Sequence, residues 1–395
     1  ILGIALFGVG AWRIQRTQTY SPPAYRWGVD AAGKYVRLAL GDEPEAALAP
    51  DSPLFASPLW LLFVIGIAAF LRLWQLTSLP PDCIATECSR ALALIEGSGT
   101  AAPALDLFQW ITNALYAMTQ QGLLSLRLTS ALIGIATVPA FYLAARQITR
   151  SGGALLATVL LAANAWHIWA SRSADPWIVL PLLFSLIIWA GLSVTARPRR
   201  LLPLIALLIA LPVLIATLRT GALWQPSTDQ PAVTGFMAVL IHLLGRGAGN
   251  GMALFADQPL LDGLTAALVV VGLGALVRYW RRLDTGVVLA TFILLLIAAS
   301  RVDFTSVSTS ALLLFLPLLL LAVALALDGM VGLLQQTWAI LIRPARLAAT
   351  VFVLLLILGG YNALGLLGQM DALTSGGDSA ADVAMGRFLA EQVRT

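Results

Sequence analysis

Apolar runs close to 20 residues long recur along this chain, and short clusters of arginine separate them. A helix needs about 20 apolar residues to cross a hydrocarbon core about 30 Å thick. Runs of that order fall at 58–76, 124–145, 153–170, 175–194, 201–218, 260–277, 285–300, 309–327 and 347–364. Composition agrees with this pattern. Only 11% of the 395 residues are charged, 59% are hydrophobic, and the mean hydropathy is +0.86. A soluble domain carries about 25% charged residues, and a water-exposed surface with so few would be one large apolar patch. The expected fold is therefore an all-α polytopic membrane protein of about 9–10 transmembrane helices, and its first partner is the lipid bilayer. The formal charge of +4 does not indicate nucleic acid, because the arginines flank apolar runs as orientation signals do.

Those arginines test the topology. Arg13, Arg16, Arg26, Lys34 and Arg37 precede the first full run. Arg146 with Arg150, Arg197 with Arg199 and Arg200, Arg278 with Arg281 and Arg282, and Arg343 with Arg346 follow later ones. If segment 13–57 is cytoplasmic and each run crosses once, every cluster falls on the cytoplasmic side. The chain begins at Ile1 without Met, and residues 1–12 read as part of a span. The organisation is then a partial span plus a cytoplasmic linker (1–57), a transmembrane core with its first outer loop at 77–123 (58–218), an outer loop with the later spans (219–364), and an outer tail (365–395). Two apolar stretches, 106–121 and 234–245, are too short or too polar to cross and read as helices lying at the outer interface. The 329–342 stretch is a similar candidate on the inner side. Long segments outside and short ones inside place any chemistry on the outer face.

The first outer loop reads LPPDCIATECSRALALIEG, residues 79–97. Pro80 and Pro81 end the preceding helix, and a new one starts near Thr86. Glu87 then sits at a helix N-terminus with Asp82 upstream. A partly desolvated carboxylate there can act as a general base, or it is simply a favourable first-turn charge. Arg90 follows one turn later as a candidate contact for an anionic ligand. Cys83 and Cys88 share the loop and either form a bridge in an oxidising compartment or remain as two free thiols.

A second constellation lies in NAWHIWASRSADPWIVLP, residues 164–181, where His167, Arg172 and Asp175 gather among three tryptophans. Arginine can clamp a phosphate and aromatics can stack on a sugar, or the segment is an aromatic belt with an Arg172–Asp175 pair. Arg127, just inside a span, either snorkels to head groups or meets an anionic lipid. No Walker loop, dinucleotide fingerprint, HExxH or GxSxG is present, and nothing calls for a metal or a cofactor. Mid-membrane acid pairs are also missing, which argues against an ion-coupled transporter.

The stretches LWQLTSLPPDCIATECSRALALIEG and LSLRLTSALIGIATVPAFYLAARQITRSGGALLATVLLAANAWHIWASRSADPW resemble the protein O-mannosyltransferase and aminoarabinose-transferase family of C-type membrane glycosyltransferases. The resemblance covers about residues 58–195 well and extends loosely to the tail. It implies sugar transfer from a polyprenyl-phosphate donor on the outer face of a cell membrane, of bacterial type. It also implies an acidic pair in the first outer loop, which falls on Thr86 and Glu87. Threonine cannot serve as the base, so that role passes to Glu87 or Asp82. Arg127, His167 and Arg172 match the family's positions, with Arg90 and Asp175 beside them as substrate contacts. The alternative is a non-catalytic accessory subunit on the same scaffold, with other membrane subunits as partners.

Overall fold

The computed structural model describes residues 25–29, 35–39, 58–76, 85–96, 107–196, 201–220, 261–280, 282–299 and 309–338, with scattered positions between 350 and 365. A short antiparallel hairpin comes first, pairing β1 (Tyr25–Val29) with β2 (Tyr35–Ala39) in the register Tyr25 to Ala39. It falls in the segment read as a linker, and the sequence reading contained no strand there. Every other regular element among the described residues is helical.

The helices are α1 (Pro58–Leu73), α2 (Ala85–Ile95), α3 (Leu107–Thr119), α4 (Gly122–Ala145), α5 (Ser151–Ala163) and α6 (Ala165–Arg172). After a 3-10 turn at Pro176–Ile178 come α7 (Val179–Ala196), α8 (Leu201–Thr220), α9 (Gly263–Arg278) and α10 (Leu283–Ala299). A second 3-10 turn, Thr309–Leu314, leads into α11 (Leu316–Trp338).

Three segments are long and apolar enough to cross a membrane: Gly122–Ala145, Pro176–Val194 and Leu312–Met330. The bent pair α5–α6 makes a fourth if it counts as one span. Shorter apolar helices include α1, α9 and parts of α8 and α10. Their outer faces are what a bilayer solvates. Leu59, Leu62 and Phe63 on α1, Leu201, Leu208 and Ile209 on α8, and Ile293 and Leu294 on α10 are all exposed. A water-soluble monomer rarely shows contiguous apolar faces of that kind. The protein is an integral membrane protein built from apolar helices.

α4 lies at the centre and packs on α1, α2, α3, α5, α6 and α7, while α11 packs on α5 and α9. The inward faces are rich in small residues, and several buried hydroxyls bond within their own helices. Thr129, Thr137 and Thr158 donate to the carbonyls of Ser125, Ile133 and Ala154, which removes the cost of taking an unpaired hydroxyl into an apolar core. Glycine permits two close crossings. A Cβ at Gly272 would collide with the Ala322 carbonyl group, and one at Gly134 would collide with the Ser171 side chain.

Several expectations change. The 153–170 run, read as one helix, bends by 53° at Asn164. The cause is local: Asn164 is extended (φ −65°, ψ 124°), and its side-chain oxygen accepts from the His167 N–H, which starts a new helix. The 329–342 stretch is not a separate interfacial helix over its described part, because α11 continues unbroken to Trp338. α3 is a discrete helix as expected for 106–121. Gln120, with φ 56°, turns the chain from it into α4, and Gln109 and Asn113 bond one another on its exposed side. The 234–245 stretch and residues 366–395 lie outside the described residues.

Candidate functional site

Four helices bring the chemistry together. α1 ends at Leu73, α2 enters beside it, α4 passes through the middle, and α6 closes the fourth side. Buried in this junction are Arg72, Glu87, Arg127, His167 and Arg172, each no more than 1% exposed.

Glu87 and Arg127 form an ion pair, with Arg127 Nη2 donating to Glu87 Oε2 at 3.2 Å. Arg127 Nη1 also donates to the Leu76 carbonyl, at 3.3 Å. This corrects the snorkelling account of Arg127: its guanidinium is drawn inward to a carboxylate. It also changes the reading of Glu87. Its Oε2 is engaged by a guanidinium from α4, so Glu87 holds α2 against α4, and that oxygen is turned to the ion pair rather than to an acceptor hydroxyl.

Arg172 serves the end of α1. Its Nη1 donates to the carbonyls of Leu71 and Arg72 at 2.8 and 3.3 Å, and its Nη2 to those of Trp74 and Gln75 at 2.8 and 3.3 Å. The last carbonyls of a helix lack intrahelical partners, and a cation there also complements the helix dipole. Gln75 has φ 49°, the left-handed conformation common just beyond a helix end. Asp175 Oδ1 accepts from the Trp177 N–H at 3.0 Å and caps the 3-10 turn. Arg90 Nη1 reaches the Ala174 carbonyl at 3.4 Å and ties α2 to that same turn, where Ala174 has φ 47°.

Arg72 was not among the residues singled out from sequence. It lies on the buried face of α1, and its Nη2 donates to His167 Nδ1 at 2.7 Å. Nε donates to Ser171 Oγ at 3.3 Å, and Nη1 to the carbonyls of Ala68 and Ala162 at 3.0 and 3.1 Å. The signal was present: an arginine inside an otherwise apolar run is costly in lipid and marks a buried polar site. Arg72 repels Arg172, and Arg172 in turn repels Arg127, so the three guanidinium groups form one electrostatic cluster.

Asp82 and Cys83 lie outside the described residues. Cys88, fully buried next to Glu87, is disulfide-bonded, and Cys83 is the chain's one other cysteine. Beside the cluster is an apolar cavity of about 250 Å³, lined by Val64, Ile67, Leu71, Val159, Ala162 and Ala163 together with Leu356, Gly359 and Gly360. Two of these wall residues also belong to the cluster: the carbonyl of Leu71 accepts from Arg172, and that of Ala162 from Arg72. Scanned against protein-family models the chain matches none, and a search of curated proteins finds no significant match.

Proposed function

We propose that this protein is a glycosyltransferase-like membrane protein, a C-type fold of about nine spans. It takes sugar from a polyprenyl-phosphate donor at the outer membrane face, with Asp82 rather than Glu87 as the base. The observation that carries this assignment of roles is the buried Glu87–Arg127 pair, which leaves the upstream acid of the first loop for proton transfer. In the reaction the acceptor hydroxyl gives its proton to the Asp82 carboxylate and its oxygen attacks the anomeric carbon. The bond from that carbon to the phosphate oxygen breaks, and polyprenyl phosphate leaves with the electron pair. Clustered guanidinium groups favour such a departing anion without a metal. The apolar cavity adjoining the cluster suits a prenyl chain. The disulfide at Cys88 fits a loop in an oxidising compartment, consistent with the outward face.

The test is transfer of mannose or aminoarabinose from a short polyprenyl-phosphate donor to an acceptor alcohol by the purified protein in nanodiscs. Asp82→Asn is expected to abolish turnover while leaving thermal stability intact; Glu87→Gln is expected to lower stability. Turnover that survives Asp82→Asn would remove that residue from the role. No transfer by the unaltered protein from either donor would sink the enzyme reading.

A second reading is favoured by a specific observation. Arg90, Arg127 and Arg172 all donate to backbone carbonyls, which is the work of struts, and Thr86 stands where the family resemblance puts its first acid. On that reading the protein is an accessory subunit of a larger membrane complex. Its mark is copurification with other polypeptides in fixed stoichiometry and absence of transfer.

A further inference from the structure

The contact between Arg72 and His167 determines where the imidazole proton resides. A guanidinium has only donors, so in the 2.7 Å contact with Arg72 Nη2, His167 Nδ1 must be the acceptor. Nδ1 therefore carries its lone pair, and the ring proton is on Nε2. The groups around the ring are held by further bonds. The Asn164 side chain holds the His167 backbone N–H at 2.9 Å. Ser171 Oγ accepts from Arg72 Nε at 3.3 Å and donates to the His167 carbonyl, and the residue is fully buried.

Nε2 is then a buried donor, and it has no partner among the described residues. Native structures seldom leave such a group unmet. Beside it, Arg72 is a buried cation whose partners among the described residues, His167, Ser171 and two carbonyls, are all neutral. A fixed N–H donor next to a guanidinium without a facing carboxylate is a receptor for an anionic oxygen.

We propose that Arg72 locks His167 as the Nε2–H tautomer and that this N–H donates to a phosphate oxygen of a bound ligand, so that His167 is an anion donor and not a base. The identity of the ligand as a prenyl phosphate rests on the functional reading above; the tautomer does not.

The experiment is 15N NMR of ring-labelled histidine. The chain holds two histidines, so His242→Gln leaves His167 as the single reporter. In nanodiscs at neutral pH the spectrum is expected to show an unprotonated Nδ1 and a protonated Nε2. Farnesyl phosphate is expected to shift the Nε2–H resonance downfield. Inorganic phosphate in a parallel titration separates the sources: a shift with both marks a phosphate site, and a shift with farnesyl phosphate alone marks a lipid phosphate site. A protonated Nδ1, in either the other tautomer or the doubly protonated ring, overturns the proposal. So does an unmoved Nε2–H resonance while farnesyl phosphate raises the melting temperature, an outcome that leaves the functional reading standing. Absence of any farnesyl phosphate binding overturns both.

Discussion

Two regions of this protein solve the same packing problem by opposite means. Around α11, most residues of the segment Leu312–Met330 are buried, and close approaches to α9 and α5 are made at glycines, Gly272 against Ala322 and Gly153 against Ala324 and Asp328. Around the end of α1, the contacts with α4 and α6 are made by Arg72, Arg127, Arg172, Glu87 and His167. Lipid gives helices no hydrophobic reason to associate, so close backbone approach and interhelical hydrogen bonds must hold them. The α11 region uses the first, with Gly272 against Ala322. The arginine junction uses the second. An apolar seam holds helices together without chemistry, whereas a charged one sets a precise geometry and leaves donors available to an anion.

A large loss in the charged region is expected from Arg172→Met, which strips four carbonyls at the end of α1 of their donor. Bonds to a charged donor are each worth about 1.5–3 kcal/mol, so thermal denaturation in nanodiscs should show a loss of about 3 kcal/mol or more. Little change would mean that α1 is held by packing alone. Gly272→Ala tests the apolar seam next. Its new methyl meets the Ala322 backbone, which cannot rotate away, and the cost should approach about 3 kcal/mol. Gly134→Ala collides with a side chain instead. It is expected to cost about 1–3 kcal/mol, and because the displaced Ser171 bonds Arg72, it should also perturb the His167 ring resonance. A pure packing loss without that perturbation would separate Gly134 from the charged region. The smallest effect belongs to Arg90→Ala. Arg90 is exposed, its single described bond is 3.4 Å long, and the expected change is under about 0.5 kcal/mol.

Much of the architecture was legible from apolar run length. Gly122–Ala145, Pro176–Val194 and Leu312–Met330 sit within a few residues of the runs at 124–145, 175–194 and 309–327. The bend at Asn164 was not, because hydropathy is indifferent to a polar residue that stops one helix by capping the next. Nor was the hairpin at Tyr25–Val29 and Tyr35–Ala39, which is too short to stand out beside the apolar runs. The site was half visible. Glu87, Arg127, His167 and Arg172 stood out as polar residues at helix ends, and they do converge. Arg72 was absorbed into the 58–76 run, whose apolar residues hid it. Roles were harder to read than places: whether an arginine clamps a ligand or a helix end depends on carbonyl positions that spacing does not encode.

The roles of the first-loop acids depend on Glu87 acting as the buried partner of Arg127. A double-mutant cycle on thermal stability in nanodiscs, with Glu87→Gln, Arg127→Met and both together, measures that directly. Each single change should cost about 3–5 kcal/mol by leaving one charge buried and unmatched, and the double variant should be no worse than either. Additive losses would contradict the account and return Glu87 to the list of candidate bases.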